Sequence, residues 1–382
     1  MTEHLEYFDE SHRILRRTAS RFVDKEIKPY VEEWEEAGLF PRELYLKAGQ
    51  VGLLGVGYPE EYGGSGGDIF HEVVVTEELV RCGSGGVAAG LGTHSIAVPP
   101  IIALGSEEQK QRFVPPVMRG EKIAALGITE PGAGSDVAAI QTRAVCQGDC
   151  YLVNGGKTFI SSGARADLLT LAVRTGGPGA QGLCLLVVET SSTPGFFVSR
   201  SLKKMGWWAS DTAELRFEDM RVPAQNLLGE EGRGFYGIMH NFQKERLTLC
   251  VMANTTAEMA YEASLEYAKV REAFGRPLIG FQVTRHKLVD MAAMVKISRE
   301  FTYRVAAAIG AGLDQVTEVS MAKIFSAEIC DQVCHTAVQI HGGYGYMREF
   351  PVERYYRDSR ILSIGGGTTE VMKEIIAKRI LG

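Results

Sequence analysis

Thr129-Glu130-Pro131-Gly132-Ala133-Gly134-Ser135-Asp136 follows directly on the apolar run Ile123 to Ile128, and marks where the character of the chain changes. A proline and two glycines let the backbone turn close against a ligand, and Thr129 and Ser135 offer hydroxyls and amides there. Such a segment suits a large polar cofactor. A nicotinamide turn would need Gly-x-Gly-x-x-Gly between a strand and a helix, but Val137 stands where the third glycine belongs.

Before this stretch the pattern is helical from Tyr7 to about Lys122. Leu15, Ala19, Phe22 and Val23 recur on one face, and a break falls at Gly63-Gly64-Ser65-Gly66-Gly67. After it, Tyr151-Leu-Val-Asn-Gly-Gly-Lys157 reads as a strand entering a turn. Leu168 to Val173 and Leu183 to Val188 read as apolar strands, and Ala213, Leu215 and Phe217 alternate with charged neighbours. From Gly234 long helical patterns return, interrupted by glycines at 275, 310–312, 342–345 and 365–367. The expected fold class is α+β: an N-terminal helical domain (1–122), a central β domain (123–230) and a C-terminal helical bundle (231–382).

With 382 residues the chain exceeds what one core usually serves, and a net charge of −6 gives no electrostatic footprint for nucleic acid or anionic lipid. The longest apolar run, Ile96 to Leu104, carries Pro99 and Pro100, and the acidic start lacks a secretory core. A cytoplasmic protein with no membrane span and no nucleic-acid partner is expected. Seven scattered cysteines do not form a disulfide framework. Cys330 and Cys334 stand beside His335, but share a helix stripe with Val338. Core packing is therefore expected there, with no metal.

The segment from Thr129 to Asp136 resembles the flavin loop of the acyl-CoA dehydrogenases, and agreement with that family runs from near residue 5 to the C-terminus. The similarity is nearest to the long-chain and isovaleryl-CoA branch. The α–β–α order matches the family's fold. The resemblance implies FAD as cofactor and α,β-dehydrogenation of an acyl-CoA to the trans-2-enoyl-CoA, as in fatty acid β-oxidation. It further implies electron-transfer flavoprotein as electron acceptor and a homotetramer.

One residue stands out on both counts. Ile238, Phe242, Leu249 and Met252 lie along one face of the helix beginning near Gly234, and Glu245 lies on that face too. Burial raises a carboxyl pKa, as a general base near neutral pH requires. The alternative is a structural ion pair with Arg246 or another arginine. In most of the family the base is a glutamate in a Glu-Gly-Thr stretch near the C-terminus. Here that stretch reads Gly365-Gly366-Gly367-Thr368-Thr369-Glu370, so the expected glutamate is Gly366. The long-chain and isovaleryl branch carries its base in a Glu-Arg-Leu triplet, which Glu245-Arg246-Leu247 matches. Glu245 is therefore the expected base, and Gly366 retains the backbone N–H that polarises the thioester oxygen.

The remaining assignments follow from the resemblance. Ile128, Thr129, Gly134, Ser135, Phe159 and Ser161 fall at isoalloxazine contacts, against a core aromatic at Phe159 and a turn serine at Ser161. Arg271 and Gln282 match the element reaching the FAD pyrophosphate of a neighbouring subunit, against an exposed helix-end arginine. Gln339, Gly342 and Gly343 match a further FAD loop, against a plain helix cap. Thr368 and Glu370 match cofactor contacts, and Glu370 is kept out of the base's role. Ser135, Tyr236, Arg246, Gly366 and Gly367 match substrate-facing positions, against a core tyrosine and a surface arginine. Ala88 and Gly92 are small where the acyl tail ends, favouring a long or branched chain. His94 is read as a hydrogen-bonded core histidine, and Trp207-Trp208 as packing between domains. Two other readings stand beside this one: a flavin oxidase of the same fold, and a DNA-binding flavoprotein relative, which would need a basic C-terminal surface.

Overall fold

The computed structural model describes residues 7–382; the acidic opening segment, residues 1–6, lies outside it. The first helices are α1 (Glu10–Glu26), α2 (Val31–Ala37), α3 (Glu43–Gln50), α4 (Ile69–Val80), α5 (Gly85–Leu91), α6 (His94–Ala97), α7 (Pro99–Leu104) and α8 (Glu107–Met118). Asp9 and Asp68 cap α1 and α4, each accepting N–H groups of its helix, while His12 and His71 accept the N–H of Asp9 and Asp68 in return.

The sheet comprises β1 (Ala124–Gly127), β2 (Arg143–Gln147), β3 (Cys150–Ser161), β4 (Leu168–Arg174), β5 (Leu183–Glu189), β6 (Phe196–Ser201) and β7 (Thr212–Pro223). Their order is β1-β4-β2-β3-β7-β6, with β5 also paired to β4; β1 and β4 run parallel. Leu183, Leu185 and Val187 of β5 face the helices, and Cys184, Leu186 and Val188 face the sheet's own core. Burial on both faces explains why β4 and β5 read as unbroken apolar runs. β2 and β6 carry no such signal: one residue of β2 is buried and none of β6.

The sequence reading of a turn after Tyr151 is corrected here. β3 continues through Asn154, Gly155 and Gly156 to Ser161. At Gly155, with φ +146°, a Cβ would come within 2.8 Å of the Thr142 backbone, and at Gly156 within 2.9 Å of the Leu215 carbonyl. The glycines allow close strand approach at a bulge, not a reversal.

The third part holds α9 (Gly234–Val270), a small hairpin of β8 (Glu272–Ala273) and β9 (Arg276–Pro277), α10 (Gln282–Gly310), α11 (Val316–His341), α12 (Pro351–Ser359) and α13 (Thr369–Ile380). Helices from both ends of the chain share one core, in which Phe22 and Leu44 join Met252, Met291 and Val333. A second cluster joins Ile128 and Ala133 to Ile238 and Phe242, seating the Thr129–Asp136 loop against the start of α9. Trp207 and Trp208 pack between domains as expected: the Trp207 N–H donates to Asp358 Oδ1 at 2.6 Å, and Arg357 stacks 3.7 Å over Trp208. Among the described residues no single helix is long and apolar enough to cross a membrane.

Candidate active site

Glu245 sits midway along the first half of α9, where its apolar neighbours carry it inward. Its Oε2 is buried and has no hydrogen-bond partner among the described residues. Burial pushes the carboxyl up to about 7, while the charges of Arg246 and Lys323 pull the other way. The ion pair with Arg246 does not form. Arg246 is 6% exposed, which corrects the surface alternative, and its guanidinium stacks over Phe242 at 5.7 Å. Its Nε donates to the Gly366 carbonyl at 3.4 Å.

Gly366 lies beside Glu245 although 121 positions separate them in the sequence. A Cβ built on Gly366 would stand 3.5 Å from Glu245 Oε1 and 2.6 Å from Leu249 Cδ1. The residue also has φ +64°, a conformation costly for any residue with a side chain. Glutamate at 245 and glycine at 366 are thus two halves of one steric arrangement. The Gly366 N–H has no acceptor among the described residues. An orphaned carboxylate oxygen beside a free amide donor can take a proton from a carbon acid while stabilising charge on its oxygen.

The cofactor assignments divide into two groups. In the first, the Thr129 carbonyl accepts from the Thr158 N–H at 2.9 Å, which brings the loop alongside Phe159 and Ser161 on β3. Glu130 and Ala133 exchange backbone hydrogen bonds at 3.1 and 3.0 Å across Pro131-Gly132, forming a tight projecting turn. A Cβ at Gly132 or Gly134 would meet nothing within 4 Å, so this face is open. Phe159 is 67% exposed at φ +60°, which corrects the core-aromatic alternative. An exposed ring on a strained backbone contributes nothing to the core and is consistent with a stacking surface for a flat ligand. These residues fit the isoalloxazine ring.

In the second group, Arg271 lies at the C-terminal end of α9, 5.6 Å from the Tyr344 ring and next to the hairpin that leads to Gln282. Gln339, Gly342 and Gly343 belong to the same region, and a Cβ at either glycine would also meet nothing. Twenty-six residues at 1.5 Å each separate Arg271 from Glu245, about 39 Å along α9. One chain does not bring the two groups together.

Tyr236 is 54% exposed near the start of α9, which corrects the core alternative. Gly367, Thr368 and Glu370 follow Gly366 closely; Thr368 caps α13 through Val371 N–H, and Glu370 is exposed in the first turn of that helix. His94 Nδ1 donates to the Leu91 carbonyl at 2.9 Å, and burial lowers its pKa, as a core histidine requires. Cys330 and Cys334 are buried with their sulfurs 4.0 Å apart, and His335 is exposed. His12, Asp68 and His71 gather within 4.8 Å, but both Nδ1 atoms accept capping N–H groups, and both Nε2 atoms are bonded to Asp68 and Ser11.

Sequence reading missed Lys157, Glu130 and Lys323. Each is a charged residue among buried neighbours. Lys157 Nζ donates to Glu130 Oε1 and the Ile128 carbonyl, both at 2.9 Å, and Glu130 accepts the Gln141 and Thr142 N–H groups at 2.7 and 2.9 Å. Lys323 left a signal, standing between Val319 and Cys330 on one face of α11, whereas Lys157, flanked by Gly155, Gly156 and Thr158, left none.

The descriptions "Acyl-CoA dehydrogenase" N-terminal, middle and C-terminal domain match residues 9–121, 125–220 and 232–381. A long-chain specific acyl-CoA dehydrogenase of Sus scrofa is 39% identical over 378 residues, 98% of this chain and 87% of that protein. The chain belongs to the acyl-CoA dehydrogenase family. Members of this family are FAD-dependent oxidoreductases acting on acyl-CoA. A short-chain specific acyl-CoA dehydrogenase of Clostridium acetobutylicum is 38% identical over 96% of this chain and 97% of its own. The crystal structure of a probable acyl-CoA dehydrogenase from Mycobacterium abscessus superposes with TM-score 0.96 at 54% identity, covering 98% of this chain and 100% of that one. Family relatives of both long-chain and short-chain specificity thus lie at nearly equal distance.

Proposed function

We propose that this protein dehydrogenates an acyl-CoA thioester between its α and β carbons, with Glu245 as the base that removes the α proton. The orphaned Glu245 Oε2 beside the free Gly366 N–H carries this reading. Bound FAD supplies the acceptor for the β hydride. Ile128, Thr129, Gly134, Ser135, Phe159 and Ser161 would hold its ring system, with Thr368 and Glu370 at its margin. Glu245 takes the α proton, and the Gly366 N–H receives the thioester oxygen as it gains negative charge. Tyr236, Arg246, Ser135 and Gly367 border the reacting thioester. The apolar walls from Ile128 and Phe242 exclude water, which strengthens each of these interactions.

A base with a pKa of about 7 must be ionised to work. We therefore expect kcat/KM to rise tenfold per pH unit below about 7 and to level off above it. A profile flat from pH 5.5 to 8.5 would exclude Glu245 as the titrating base.

A long or branched acyl chain is the substrate we favour, with the electrons of the reduced flavin passed to an electron-transfer flavoprotein. Ala88 and Gly92 are small on and just beyond α5. A cavity of about 10 Å³, lined by Val80, Trp207, Met252 and Met259, lies further along the Glu245 face of α9. Flexible methionines there can yield to a tail. A homotetramer is supported by the distance between the two cofactor groups and by exposed apolar side chains near the second, including Phe274, 97% exposed, and Val283. A neighbouring subunit's Arg271, Gln282, Gln339, Gly342 and Gly343 would then complete each FAD site.

The test is anaerobic mixing of the FAD-loaded protein with palmitoyl-, isovaleryl- and citronellyl-CoA while following the visible flavin band. Rapid bleaching by one of them supports the reading and ranks chain preference. No bleaching by any of them, with FAD bound, overturns it. Fast reoxidation of the reduced protein by oxygen would turn the assignment to an oxidase.

A further inference from the structure

Lys323 lies on α11 among Val319, Ala322, Ser326 and Cys330, all buried, and is itself 1% exposed. Its ammonium makes no salt bridge among the described residues and donates instead to the Gly367 carbonyl. Arg246, from α9, donates to the neighbouring Gly366 carbonyl at 3.4 Å. Two successive carbonyls of the glycine turn are thus held by cations from two different helices. The turn has φ +64° and +103° at Gly366 and Gly367, and the Leu249 and Met372 side chains pack beside it. A buried ammonium without a carboxylate partner is costly, and a structural role alone would be met more cheaply by an apolar side chain.

The groups charged or titratable around Glu245 are Arg246 on its own helix, Lys323 on α11, Cys250 one turn on beside Lys323, and Glu370 at the start of α13. Of these, Arg246 and Lys323 both touch the turn that carries the Gly366 N–H and both act on the Glu245 carboxylate; Lys323 does so from α11, across the helix interface. Burial also brings its pKa down to about 8.

Building on the dehydrogenase reading, we propose that Lys323 is a positioning residue: it fixes the Gly366–Gly367 turn so that the Gly366 N–H stays available to the thioester oxygen, and it supplies positive potential to Glu245. It touches neither the substrate nor the reacting carbons. Its effect passes through Gly367 to the amide donor, and through space to the base.

The experiment uses FAD-loaded protein with a long-chain 3-oxoacyl-CoA. This ligand can lose its α proton to Glu245, yet its β carbon is already a carbonyl and has no hydride to give. Enolate absorbance is titrated against pH in the wild type, Lys323→Gln and Lys323→Met, alongside FAD content and steady-state kinetics with an acyl-CoA. Lys323→Gln keeps a donor to Gly367 and loses the charge; Lys323→Met loses both. We expect the enolisation midpoint to move up by about one pH unit in Lys323→Gln. In Lys323→Met we expect a further loss of about tenfold or more in kcat with little change in KM. If Lys323→Met does not accumulate as folded protein, Lys323→Gln carries the test. Midpoints equal to wild type in a folded, FAD-loaded variant overturn the inference. A wild type that neither forms the enolate nor is bleached by any acyl-CoA removes the dehydrogenase reading and this inference with it; a wild type that does both while the variants match it removes only this inference.

Discussion

Glu245→Gln is expected to lower kcat by two to four orders of magnitude while leaving FAD bound, because a positioned general base typically contributes about 10²–10⁴-fold. Glutamine has nearly the same shape but cannot accept the α proton, and none of the surrounding groups is a ready substitute. Arg246 and Lys323 are cations, and Glu370 is exposed on another helix. The same substitution should also stabilise the fold. A carboxyl whose folded pKa lies above its unfolded value favours the folded state only below the unfolded value, and that advantage is lost as pH rises through the folded pKa. With a folded value of about 7 against an ordinary 4.5, the ionised side chain costs up to about 3 kcal/mol above pH 7. Glu245→Gln removes this cost. Its unfolding free energy should equal the wild type's near pH 4.5 and exceed it increasingly up to about pH 7. Denaturant unfolding at pH 5 and pH 8, with turnover measured on the same preparations, checks both halves. Activity within tenfold of wild type would mean the base lies elsewhere.

Lys157→Met is expected to cost about 3–5 kcal/mol of stability, the usual consequence of leaving a buried charge without its partner. The Lys157 ammonium is fully covered, and Glu130 is almost so. Because Glu130 also gathers the Gln141 and Thr142 amides, losing its counter-charge should loosen the whole Thr129–Asp136 loop. FAD affinity should therefore fall together with stability. Adding Glu130→Gln should recover part of both by removing the stranded carboxylate. Urea unfolding and fluorescence titration of apoprotein with FAD would measure the two effects. A single variant within about 1 kcal/mol of wild type would show that the pair does not organise the loop.

How far the sequence could be read depends on where burial leaves a periodic trace. The order of helical, sheet and helical segments was legible because apolar residues repeat with the period of each element, and β4 and β5 showed as apolar runs because both their faces are covered. β2 and β6, mostly exposed, left no such trace. Asn154-Gly155-Gly156 read as a turn because local chemistry favours one, and the close approach of Thr142 and Leu215 overrode it. Glu245 was visible as the charged residue on an apolar helix face, and its proposed role came from the family resemblance at two distant positions.

The sequence by itself determined which side chains each element turns inward, because helix and strand periods are local. It therefore determined that a carboxylate is buried on α9 and that position 366 has no side chain. Only the tertiary structure decided that these two positions meet, that Glu245 Oε2 finds no partner, and that Phe159 stands exposed on a strained backbone. It also decided the role of Lys323, whose partner is a backbone carbonyl from another segment. The physical reason is the same in each case: periodicity records whether a residue is buried, and only the packed chain specifies what it is buried against.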